Sequence, residues 1–137
     1  MDFDEAVRII RQKDPRYQPQ AYDVVRLGLD LAQKLTHGEP KKGKSTTNRH
    51  VSGPQLLEGF RQHVLETYGP MSYPLLHTWG LRKSADVGNI VFNIIDTGLF
   101  GRSPEDNLED FKEVYDFKDV FQKPLRAQVE LITRSRS

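Results

Sequence analysis

Residues 50–99 read HVSGPQLLEGFRQHVLETYGPMSYPLLHTWGLRKSADVGNIVFNIIDTGL, three helical segments with almost no slack between them: His50 to Gly69, Pro70 to Gly80 and Ser84 to Leu99. Ser52-Gly53-Pro54-Gln55 supplies a serine N-cap, a proline in the first turn and glutamine at N3, the parts of a capping box. Val51 and Leu56 stand at N′ and N4, where they close the helix start as a hydrophobic staple. Leu57, Phe60, Val64 and Tyr68 then recur every three or four residues as one apolar face. Gly69 accepts the left-handed conformation that ends a helix, and Pro70 begins the next. That helix carries Tyr73, Leu76 and Trp79 and ends at Gly80, with Ser84 as the next N-cap. In the third segment Val87, Ile90, Val91, Phe92, Ile94 and Ile95 cover so much of the circumference that it is expected to be the most buried element, capped by Gly98.

Outward from this stretch, Phe3, Ala6, Val7 and Ile10 mark a first helix that ends before Pro15. A second begins near Pro19 and presents Tyr22, Val25, Leu29 and Ala32, joined by Ala21 and Leu35, as a face that packs on the three-helix cassette. Residues 38–49 hold no large apolar anchor and are expected to form a flexible basic loop. After Leu99, the stretches Leu99 to Arg102 and Glu113 to Phe117 read as short strands around an acidic turn, with a helix over Asp110 to Phe121 as the alternative. The tail ends in Arg134-Ser135-Arg136-Ser137 and is expected to fray. The expected fold is therefore mainly α with a minor β part: five helices in a single domain over 1–121, a winged-helix-like cassette at 50–117, a short β-hairpin and a C-terminal extension at 122–137.

The blocks His50-Val51-Ser52-Gly53, Leu57-Glu58-Gly59, Tyr68-Gly69-Pro70-Met71, Trp79-Gly80, Gly88-Asn89-Ile90-Val91-Phe92-Asn93, Gly98-Leu99 and Val114-Tyr115-Asp116-Phe117 resemble a family of small proteins from planctomycete and verrucomicrobial bacteria. The resemblance covers most of residues 15–121. The family has no assigned activity, ligand or catalytic residue, so the resemblance implies none here. The segment from His37 to Arg49 and the tail after Phe121 lie outside its pattern.

At 137 residues and 15.8 kDa the chain is long enough for one core, burying roughly two-thirds of the surface an unfolded chain exposes. It contains no cysteine, which excludes a disulfide scaffold, thiol catalysis and cysteine-rich zinc sites. No apolar run approaches the about 20 residues a bilayer crossing needs, and the acidic start Met1-Asp2-Phe3-Asp4-Glu5 does not read as a signal peptide. The expected location is the cytoplasm. The formal charge of +1 conceals a dipolar distribution. Lys41, Lys42, Lys44 and Arg49 crowd one loop, whereas Glu105, Asp106, Glu109, Asp110, Glu113, Asp116 and Asp119 dominate later.

Gly38-Glu39-Pro40-Lys41-Lys42-Gly43-Lys44-Ser45 matches the letters of the phosphate-cradling P-loop, and Ile90 to Asp96 resembles an apolar strand ending in a metal-holding aspartate. Such a loop must leave a buried strand and enter a helix, because backbone N–H groups at the helix N-terminus bind the phosphates. The segment before Gly38 is helical in period, no helix fits after Ser45, and Pro40 removes a donor. A solvated lysine loop is the simpler reading. His37, His50, His63 and His77 lack the i, i+4 spacing of metal-binding pairs, and the i, i+3 pair His63 and Glu66 reads as a surface contact. Counting a calcium loop from Asp106 puts Leu108 and Phe111 where an oxygen ligand and a glycine belong. Nothing separates the acidities of Glu109 and Glu113, and Ser52 beside His50 is explained by capping. No catalytic residue, cofactor site or metal site is assigned.

Helix, short helix, turn and helix followed by a hairpin is the order of a winged helix-turn-helix. In that reading Lys41, Lys42, Lys44, Arg49, Arg82 and Lys83 meet a nucleic-acid backbone, while Asp86 and Asp96 on the third helix repel it. The polar stripe Asp86, Asn89, Asn93 and Asp96 is either the solvent side of a buried helix or a surface for a protein partner, with Gly88 allowing close approach. The reading carried forward is a non-catalytic intracellular interaction module that binds a protein through this stripe. The alternatives are winged-helix-like nucleic-acid binding and nucleotide binding through the 38–45 loop.

Overall fold

The first helix is set by Asp2, whose carboxylate accepts a hydrogen bond from the Glu5 amide at 2.8 Å and opens α1 at Phe3–Lys13. The computed structural model of the chain describes residues 2–38, 51–98, 111 and 114–122. α1 buries Ala6, Val7 and Ile10 and stops at Asp14, ahead of Pro15. Proline at the first position starts α2, Pro19–His37, and Gly38 ends it with φ 80°. In α3, Gly53–Tyr68, Ser52 Oγ accepts from the Gln55 amide at 3.2 Å and Gln55 Oε1 accepts from the Ser52 amide at 2.9 Å. Val51 and Leu56 are both buried, completing the staple.

The segment expected as one helix from Pro70 to Gly80 divides in two: a 3-10 turn at Gly69–Met71 and α4 at Ser72–Thr78. The buried Ser72 hydroxyl marks the junction, lying 2.7 Å from the Gly69 carbonyl and 3.2 Å from that of Val64. Gly80 follows with φ 96°, and a Cβ there would lie 2.6 Å from the Arg16 carbonyl. α5 spans Ser84–Asp96. Its start is not capped by Ser84, whose hydroxyl instead donates to the Tyr115 carbonyl at 3.1 Å. The Asp86 carboxylate does that work, accepting from the Arg82 and Lys83 amides at 2.9 and 3.2 Å.

α2 and α3 form the central pair, α5 crosses both, and α1 packs on α5 and α2. Phe111 lies over Gly88, Phe117 stacks on Phe60 with ring centroids 6.0 Å apart, and Phe121 meets Phe60 edge-on at 5.9 Å. The Tyr115 hydroxyl closes this cap by donating to the Leu57 carbonyl at 2.8 Å.

Among the described residues there is no strand. The strand expected to finish at Phe117 is replaced by a bend at 114–115 and a helical turn over 117–122, because Phe117 and Phe121 face Phe60 together only at helical spacing. The stretch Leu99 to Arg102 lies outside the described residues, as do 39–50 and 123–137. Leu35, expected in the packing face of α2, is instead 51 % exposed, since α2 runs on toward Gly38 beyond the part that α3 covers.

Candidate functional site

Asp86, Asn89 and Asn93 recur on α5 every three or four residues, which places them along one side of the helix. That side closes on Asp14, Arg16, Tyr17 and Tyr22, contributed by the end of α1, the 14–18 link and the first turn of α2. The Tyr17 hydroxyl donates to Asp86 Oδ1 at 2.8 Å and accepts from Asn89 Nδ2 at 2.9 Å. Asn93 Nδ2 donates to Asp14 Oδ2 at 3.0 Å and to the Tyr22 hydroxyl at 3.2 Å. Arg16 grips both oxygens of Asp14 through Nε and Nη2, each at 2.8 Å.

The expectation of a partner-binding stripe is therefore corrected for three of its four residues. Asp86 is 9 % exposed and bonded three times, Asn89 and Asn93 are half-buried and bonded, and Asp96 alone is exposed. The stripe is the seam that fixes α5 against the α1–α2 link. A buried carboxylate needs such donors, so the stripe turns inward. Gly88 does permit a close approach, but the group that fills it is this chain's own Phe111, at 2.7 Å from a Cβ built there.

The same packing sets the electrostatics. The Arg16 guanidinium bonded to Asp14 holds that carboxyl well below the usual carboxylate range, against the opposing pull of burial. Burial pushes the Tyr17 and Tyr22 phenols up, so both stay neutral donors and acceptors. His63 has a buried Nε2 with no hydrogen-bond partner, and burial lowers its pKa.

Two stability tests follow from the seam. Asp86→Ala removes the acceptor of one buried hydroxyl and two amides and is expected to cost about 2 kcal/mol, read as a lower urea midpoint. Asp14 has a folded pKa below its unfolded value of about 3.9, so its stabilisation is present above that pH, shrinks below it and is lost once pH passes the folded value. With the Arg16 side chain 58 % exposed, solvent screening limits the effect to under about 1 kcal/mol. Asp14→Asn is expected to shallow the acid limb of a melting-temperature profile; a limb parallel to wild type sinks this account.

The remaining sequence candidates are scattered. Arg82 and Lys83 are exposed at the start of α5. Lys41, Lys42, Lys44 and Arg49 lie outside the described residues. Gly38 follows a helix rather than a strand, and Ile90 to Asp96 is helical, so neither context that a P-loop requires is present. Among the described residues no three His, Asp or Glu side chains stand together as a metal site, and no helix is long and apolar enough to cross a membrane.

Sequence reasoning missed Asp14, Tyr17 and Tyr22 as the partners of the α5 stripe. The available signal was a polar stripe on a helix otherwise apolar around most of its circumference, which leaves a neighbouring element as the natural acceptor. A second missed feature lies between α1 and α2, a cleft of about 480 Å³ bordered by Asp4, Arg8, Arg11 and Asp23. Fold and site together define a mainly helical protein whose principal polar cluster is internal. No family model matches the chain, and no curated protein or solved structure matches it.

Proposed function

We propose that the protein is a non-catalytic interaction module of the cell interior that engages a protein partner along the outer ridge of α2. The supporting observation is a row of leucines at i, i+4 and i+8 on that helix. Leu27 is 41 % and Leu35 51 % exposed, and Leu31 between them is half-buried. A lone exposed leucine is ordinary, whereas three on successive turns of one helix are the anchors a partner groove or helix accepts. The polar network of α5 supports the same reading from the other side, because its side chains spend their hydrogen bonds within the chain. The lack of cysteine is compatible with a reducing compartment.

The nucleic-acid alternative loses the outward face of α5 and keeps, among the described residues, the exposed Arg82 and Lys83. Capture of the tagged protein from native lysate, with and without nuclease, tests both readings when run beside the double variant Leu27→Asp, Leu35→Asp. Both positions are exposed, so the variant is expected to retain the wild-type circular dichroism. A stoichiometric protein that survives nuclease and is lost from the variant supports the ridge. Partners unchanged in the variant, or nucleic acid recovered in place of protein, overturn it.

A further inference from the structure

The i, i+4 ridge of α2 starts one turn before Leu27, at Asp23, and Asp23 borders the cleft between α1 and α2. Val7 and Pro19 give the cleft apolar lining, and Asp4, Arg8 and Arg11 line it from α1. These three recur at i, i+4 and i+7, so they share one face of α1, with about 10 Å of helix rise between Asp4 and Arg11. The acidic end is a pair: burial pushes the Asp23 carboxyl up, Arg26 pulls it down, and the Asp4 carboxylate pushes it up further. The basic end is anchored, since Arg11 Nε donates to the Tyr17 carbonyl at 3.0 Å.

These charges do not neutralise one another. Among the described residues Asp4, Asp23 and Arg11 form no ion pair, and Arg8 has a single exposed contact, 4.0 Å from Glu5. A simple anion meets the two aspartates and a simple cation meets the two arginines, so each is penalised at one end. A ligand carrying both signs is satisfied at both.

We infer that the α1–α2 cleft is the specificity subsite of the α2 ridge and reads a basic and an acidic side chain on one extended segment of the protein partner. The inference rests on the ridge reading for its biological setting, but its chemistry can be tested alone. The capped tripeptide Lys-Ala-Glu places its first and third side chains on one face about 7 Å apart. Titrated into the isotope-labelled full chain, it is expected to shift the amide signals of Arg8, Arg11 and Asp23 saturably. Capped Lys-Ala-Gln and Gln-Ala-Glu each lose one exposed ion pair and are expected to bind up to about fivefold more weakly. Arg8→Gln and Asp23→Asn are expected to abolish the advantage of the doubly charged peptide while leaving the rest of the amide spectrum in place. Equal responses to all three peptides, or shifts confined to other surfaces, overturn the subsite. The tripeptides span too little to engage the leucine row, so their failure leaves the ridge reading standing, and loss of the ridge reading leaves the peptide result intact.

Discussion

Phe121→Ala is expected to destabilise the fold by about 4 kcal/mol, a large part of the 5–15 kcal/mol typical of a domain. Phe121 is completely buried. Its ring meets Phe117 edge-on at 5.0 Å and Phe60 and Tyr115 at 5.9 Å each. Truncation removes the transfer energy of the ring, leaves a cavity over the centre of α3 and dissolves three aromatic contacts at once. Urea unfolding measures it: the midpoint falls while the slope stays near wild type. A loss below about 1 kcal/mol contradicts the packing of 117–122 on Phe60, because a buried phenylalanine cannot be removed so cheaply from a closed core.

Gly59→Ala is expected to cost about 3 kcal/mol, with a sign opposite to that of the intrinsic preference. In an exposed helix this exchange stabilises by about 1 kcal/mol, since alanine loses less backbone freedom on folding. Here a Cβ would stand 2.6 Å from the Ala32 amide nitrogen, the Gly28 carbonyl oxygen and Ala32 Cβ. Two of those atoms are backbone, and a methyl group has no rotamer by which to avoid them. α2 and α3 must separate, loosening a backbone-to-backbone contact between them. Gly28→Ala, with its Cβ 2.8 Å from Phe60 Cα, is expected to act in the same direction. Calorimetric melting of both variants provides the check. A rise in melting temperature for Gly59→Ala shows that the helices do not cross this closely.

The two variants probe different parts of what the chain encodes. Gly59 was visible in the sequence as a glycine in a helical run, but nothing local says which helix approaches it. Phe117 and Phe121 were legible as helical in period, and the strand reading of 113–117 competed with it because five residues with alternating polarity carry little periodic information. The choice was made by Phe60, more than fifty residues away, which both rings must reach from the same side of the chain. Ser84 shows the same effect at a helix end: as a residue type it is a good N-cap, yet its hydroxyl serves Tyr115 while Asp86 reaches back to the amides of Arg82 and Lys83.

The sequence by itself determined the helices and most of their ends. The capping box at Ser52, the staple of Val51 on Leu56, the stop at Gly69 and the proline start of α2 are interactions among residues a few positions apart, so local spacing suffices to specify them. Only the tertiary structure decided what the polar residues do. Whether Asp86, Asn89 and Asn93 meet water or Tyr17, Asp14 and Tyr22 depends on which side of α5 the α1–α2 link occupies, and those partners lie about seventy residues earlier in the chain. Periodicity identifies a polar stripe, but burial of that stripe is a property of the neighbour that packs on it.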